Sequence, residues 1–149
     1  MLKIKNMVFS VILVLFLSAC VGGTPKGTDA DVKKLVIDIT MKEIKKQLVP
    51  VMYEKVTNVP ARLIGLNVTY EGLLKNIDKE KNSKVIEAID EAMAKISIAL
   101  ENIRVDSIDD EIHKSKSSAN IVINGKTTPI TYTAQKNSDG EIYVEVFGL

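Results

Sequence analysis

The stretch Ala119-Asn120-Ile121-Val122-Ile123-Asn124-Gly125-Lys126-Thr127-Thr128-Pro129-Ile130-Thr131-Tyr132 decides the fold. Two runs with apolar residues at alternate positions flank Asn124-Gly125, the dipeptide best suited to a two-residue hairpin turn with positive φ at both central positions. Such a turn sets Ile123 opposite Lys126, Ile121 opposite Thr128 and Ala119 opposite Ile130. Further on, Ser138-Asp139-Gly140 suits a three-residue loop with Gly140 in the left-handed conformation. That loop sets Tyr132 opposite Val146 and Ala134 opposite Val144. Both registers place Ala119, Ile121, Ile123, Ile130, Tyr132, Ile142, Val144 and Val146 on one face. A slip of one residue at either turn would send half of them outward.

The other face carries Asn120, Thr127, Thr131, Thr133 and Glu145, as a solvated face should. Val122, Tyr143 and Phe147 interrupt it, and an apolar patch rimmed by polar residues marks a candidate interaction site. Ile103 to Ile108 reads as a fourth strand, joined through the polar turn Asp109-Asp110-Glu111. A sheet with one apolar face needs one cover. From Ser83 onward Val85, Ile86, Ile89, Ala92, Met93 and Ile96 recur at helical spacing and supply a matching stripe. The expected fold class is therefore α+β, with N-terminal helices followed by a four-stranded antiparallel meander packed on an amphipathic helix. In element order this looks broadly like a cystatin-like or nuclear-transport-factor-like roll, an analogy that carries no function with it.

Upstream, acids at Asp29 and Asp31 and bases at Lys45 and Lys46 fit the two ends of a helix from Asp29 to about Leu48, with Thr28 and Asp31 as a capping box and Pro50 as the stop. Its apolar residues fall in two stripes: Val32, Leu35, Val36 and Ile39 form one, and Ile37, Met41, Ile44, Leu48 and Met52 the other. Residues 51–78 mix short apolar runs with Pro60, Gly65 and Gly72, which predicts short helices in loops. Thr69-Tyr70-Glu71-Gly72-Leu73-Leu74 is the best helical turn among them.

At the amino terminus Lys3 and Lys5 precede an almost wholly apolar run over residues 7–17, and Ser18 and Ala19 follow. That is the layout of an export signal, and the run is shorter than the about 20 residues a membrane-spanning helix needs. Leu17-Ser18-Ala19-Cys20 resembles the lipobox of bacterial lipoproteins. The resemblance implies cleavage between Ala19 and Cys20, a diacylglyceryl thioether on the Cys20 sulfur and, usually, a further acyl chain on the new amino terminus. Two or more acyl chains anchor a protein stably where one does not. In that class an aspartate after the cysteine often means inner-membrane retention; Val21 stands here instead and favours the outer membrane where the cell has two. The implied organisation is a cleaved signal peptide over residues 1–19, a lipidated cysteine with a flexible tether over residues 20–28, and one domain over residues 29–149.

Removing Lys3 and Lys5 from the 20 basic residues leaves 18 against 19 acidic ones, a mature net charge of −1. That balance argues against nucleic acid, whose binding rests on a basic surface. Cys20 is the one cysteine, so the mature chain has no disulfide and is held by packing. His113 is the one histidine, which leaves no zinc ligand set and no Cys-His nucleophile pair. Ser115, Ser117 and Ser118 lie near it in sequence but without a nucleophile-elbow motif. Asp106, Asp109, Asp110 and Glu111 lack the glycine and closing glutamate of a calcium loop and read as a solvated turn. These residues point to no catalytic or metal site and to no cofactor. The function they lead one to expect is a non-enzymatic, lipid-anchored envelope protein that binds an envelope protein partner. The alternative is a small-molecule or lipid binder with an apolar pocket lined by Tyr132, Ile121 and Met93.

Overall fold

The computed structural model describes residues 11–13, 23–60, 63, 68–77 and 79–149. In chain order the elements are β1 (Val11–Leu13), α1 (Ala30–Thr57), α2 (Tyr70–Leu74), α3 (Glu80–Ala94), β2 (Ile98–Asp109), β3 (Lys114–Ile123), β4 (Lys126–Lys136) and β5 (Ile142–Phe147). The fold is α+β: helices followed by an antiparallel meander from β2 to β5, with β1 added beside β5 to give the sheet order β1-β5-β4-β3-β2.

Both turn-derived registers hold. Ile123 lies opposite Lys126, Ile121 opposite Thr128 and Ala119 opposite Ile130, and across the next turn Tyr132 lies opposite Val146 and Ala134 opposite Val144. Asn124 and Gly125 take φ of 49° and 80°, the two positive values that the tight hairpin demands, and Gly140 takes 84°. β1 falls within the apolar run of the expected signal peptide, with Val11 opposite Val146 and Leu13 opposite Val144. The edge of β5 carries unpaired backbone donors and acceptors, and an extended segment satisfies them.

β2 is longer than the sequence implies, starting at Ile98 instead of Ile103. Its register with β3 shifts between Glu101 and Arg104, where Asn102 has φ of 52°. This bulge adds one residue and resets the alternation, so that Leu100 and Ile103, three apart, both pack on the core.

Two compact units make up the chain: one takes Met1–Thr40 with Ser97–Leu149, the other Met41–Ile96. In the first, Val32, Leu35, Val36 and Ile39 of α1 share a buried cluster with Ala119, Ile121, Ile130, Tyr132, Ala134, Ile142, Val144 and Val146. The cover of the sheet is thus the first third of α1 and not the helix that starts near Ser83. Each buried Val, Leu or Ile among them contributes about 1.5–3 kcal/mol.

In the second unit α3 spends its stripe on a different core, where Val85, Ile86 and Ile89 meet Val49 of α1 and Leu73 of α2, with Met52, Tyr53, Val56 and Met93 packed against them. α1 runs through Pro50 to Thr57 instead of ending before it. A proline inside a helix costs about 3 kcal/mol, and burial of Val49, Met52, Tyr53 and Val56 on both sides of it offsets that cost. The helix ends where Asn58 turns to φ of 57° and donates its N–H to the Glu54 carbonyl at 2.8 Å. The turn at Thr69 forms as expected: its hydroxyl accepts from Gly72 N at 3.0 Å and caps α2. Tyr70 then ties the three helices together. Its hydroxyl donates to Asp90 of α3 at 2.8 Å, and Lys45 of α1 lies 3.3 Å over its ring and 3.4 Å from Asp90.

Candidate functional site

Ala19 and Cys20, the expected cleavage and lipidation site, lie outside the described residues. The segment that follows them carries the most informative geometry. The sequence reads residues 20–28 as a flexible tether, yet residues 24–27 are tied to the sheet unit at three points. Thr24 Oγ1 donates to Asp110 Oδ1 at 2.6 Å, Ser115 Oγ donates to the Pro25 carbonyl at 2.5 Å, and the Tyr132 hydroxyl donates to the Gly27 carbonyl at 3.0 Å. Pro25 and Gly27 are buried. Asp29 then leads into α1: its carboxylate accepts from Lys26 N at 2.8 Å, and its carbonyl accepts the first helical bond from Lys33 N at 2.9 Å. Asp29 thus holds the N-cap position through its carbonyl, while its carboxylate closes the turn that precedes the helix.

Close approach explains Gly27. A Cβ at that position would collide with Ser117 Oγ and Cβ and with the Tyr132 hydroxyl. Ser115 and Ser117 occupy inward positions of β3, in line with Ala119 and Ile121, and both are buried. Ser115 spends its hydroxyl on the Pro25 carbonyl, whereas Ser117 Oγ sits beside Tyr132 without a well-formed hydrogen bond. Burial pushes the Tyr132 phenol up to about 12, with Ser117 pulling slightly the other way. Two polar residues on the inward face of an otherwise apolar strand were the sequence signal for a buried polar partner, and that partner is the backbone of residues 25–27.

The turn between β2 and β3 stands at the Thr24 end of this strap. Asp109 Oδ1 accepts from the N–H of Glu111 at 3.1 Å and of Ile112 at 3.3 Å, and His113 closes the turn with φ of 49°. His113 is exposed, and Ser115 and Ser117 point into the core, so no serine–histidine pair forms. Asp106 lies on the outer face, where its carboxylate accepts from Ser118 and from Arg104 Nε at 2.8 Å; those two donors, Ser118 foremost, hold its pKa below the ordinary value. Asp106, Asp109 and Asp110 thus serve three separate sets of hydrogen bonds. Among the described residues no group of three acids, cysteines and histidines is placed to hold a metal ion.

The patch expected from Val122, Tyr143 and Phe147 does not assemble. All three are half-buried on one face of the sheet, but Val122 pairs with Thr127, Phe147 with Thr131 and Tyr143 with Gln135. Val122 and Phe147 are thus separated by four residue steps along β4, and Phe147 and Tyr143 by four more, about 13 Å each. Alternation told which face they share and not their spacing along it. Around Phe147 an open trough of about 560 Å³ is lined by Asn102, Arg104, Ser118, Asn120, Thr131 and Gly148 among others. Of the residues expected to line an apolar pocket, Tyr132 and Ile121 are fully buried in the sheet unit's core, and Met93 packs against the core of the helical unit.

No described helix is long and apolar enough to cross a membrane. Compared with protein-family models, with curated proteins and with solved structures, the chain matches none.

Proposed function

We propose that the chain is a lipid-anchored lipoprotein of the bacterial cell envelope, without enzymatic activity, whose domain engages an envelope protein partner. One observation carries the reading: Leu17-Ser18-Ala19-Cys20 places the sole cysteine directly after an export signal. Cleavage before Cys20 frees an amino terminus four residues from Thr24, so the acyl chains attach beside a folded domain. The same cut removes β1 and leaves β5 as an edge strand, a template for pairing with an extended segment of a partner. The absence of an aspartate at position 21 favours the outer membrane in a cell that has two.

The test is to express the wild type and Cys20→Ser, feed cells a palmitate analogue and fractionate their membranes. Wild type carrying the label and sedimenting with membrane, while Cys20→Ser does neither, is the expected result. Equal behaviour of the two without label sinks the anchor and the localisation together. Crosslinking in the intact envelope addresses the partner: a protein that stays uncrosslinked there refutes the second half of the reading.

A further inference from the structure

Resting on the reading of Cys20 as the lipid attachment point, we propose that the β2–β3 turn lies on the surface of the bilayer that holds the lipid, with Ile108 and Ile112 in its interfacial layer. The occupant of this surface is the membrane itself.

Chain length makes the first argument. Only residues 21–23 separate Cys20 from Thr24, so the two Cα positions lie at most about 14 Å apart even when the chain is fully extended. Thr24 is pinned to Asp110 in the turn at 2.6 Å, and the Pro25 and Gly27 carbonyls continue the strap at 2.5 Å and 3.0 Å. The position of the lipid is therefore tied to one end of the sheet. A free tether of residues 20–28 would let the domain tumble above the membrane; a strap fixed at Thr24 does not.

Exposure makes the second, independent argument. Among the described residues of the sheet unit, the large apolar side chains left exposed are Ile108, at 44 %, and Ile112, at 52 %. Both flank Asp110, the residue that holds Thr24. Apolar side chains at an interface bury about 5–10 Å into the boundary between headgroups and acyl chains, which is within reach of a turn held this close to its anchor. Asp109, Asp110 and Glu111 share the turn, so anionic lipid does not recruit it. The acyl chains supply the affinity and the two isoleucines supply the orientation, which predicts that the tip immerses in neutral membranes and is insensitive to salt.

The experiment uses the mature lipidated protein reconstituted in phosphatidylcholine vesicles that contain a nitroxide-labelled lipid. With the Cys20 sulfur occupied, Glu111→Cys and, separately, Lys126→Cys each offer one thiol for an environment-sensitive fluorophore. Lys126 opens β4 opposite Ile123, at the far end of the ten-residue strand β3 from the turn, about 30 Å away. Expected is a blue-shifted probe at position 111, quenched several-fold more than the probe at 126. In the same background Ile108→Ser with Ile112→Ser lowers that quenching, and a six-residue Gly/Ser insertion after Val21 lowers it too while flotation with vesicles persists. Equal quenching at the two positions, with mass spectrometry confirming lipid on Cys20 and the vesicles retaining the protein, overturns the orientation and spares the lipoprotein reading. A blue shift at 111 that grows with protein density and resists the nitroxide assigns the turn to a second copy of the chain and also overturns it. A chain without lipid that fails to float refutes both.

Discussion

The sheet unit and the helical unit of Met41–Ile96 are built from similar apolar residues but depend on different kinds of information. The sheet unit draws its order from two turns whose chemistry is local: Asn124-Gly125 and Gly140 set pairing, pairing sets the face, and the face sets the core. The helical unit has a smaller core of Val49, Leu73, Val85, Ile86 and Ile89, assembled from three segments with no turn that dictates their contact. Substitutions in the two units test that contrast.

The largest effect belongs to Tyr132, fully buried and bonded to the Gly27 carbonyl. Tyr132→Ala is expected to cost about 3–5 kcal/mol in urea denaturation, and Tyr132→Phe about 1 kcal/mol through the lost hydrogen bond. Next, Ile89→Ala should cost about 2–5 kcal/mol. Amide exchange then separates the units: α2 and α3 open while the strand amides of β3 and β4 stay protected. Loss of protection in both units at once would show that the division has no energetic meaning.

Alkaline pH provides a third comparison. The Tyr132 phenol is held neutral in the folded chain up to about 12, whereas in the unfolded chain it ionises near 10.0. Between those values the unfolded state binds fewer protons than the native one, so stability falls as pH rises, by at most about 1.4 kcal/mol per pH unit for this group. Tyr132→Phe should flatten the slope between pH 10 and 12; an unchanged slope assigns it elsewhere. Tyr70 in the helical unit, raised mainly by burial and then by Asp90, contributes in the same direction.

Gly27→Ala comes fourth, because the added Cβ meets Ser117 and Tyr132. Overpacking of this kind costs about 1–3 kcal/mol, and Ser117→Gly in the same chain should recover part of it. The smallest effect is expected from Tyr70→Phe, which keeps the ring under Lys45 and removes the bond to Asp90. A loss of about 1 kcal/mol or less, confined to the helical unit's exchange rates, fits an exposed contact.

Legibility followed the range of the interaction. Asn124-Gly125, Ser138-Asp139-Gly140 and Thr69 act on neighbours within a few residues, and each forms the turn or cap that its chemistry predicts. Pro50 misled because its cost is local while the burial of Val49, Met52 and Tyr53 that offsets it comes from segments more than 20 residues away. Asn102 misled in the opposite sense: a bulge hides in the spacing of three between Leu100 and Ile103, which alternation alone reads as the start of a strand. At the candidate site Leu17-Ser18-Ala19-Cys20 was legible only as a resemblance to a motif. The strap was not, because residues 24–27 look like linker until Ser115 and Tyr132 are placed beneath them.

By itself the sequence determined the pairing register of the meander, the inward face of its strands and the amphipathic character of the helices. These are consequences of backbone φ preferences and side-chain periodicity. Only the tertiary structure decided which helix covers which surface, that α1 continues through Pro50, and that Thr24 is fastened to Asp110. An apolar stripe states how much surface must be buried and not against what, since hydrophobic burial has no direction until geometry supplies one.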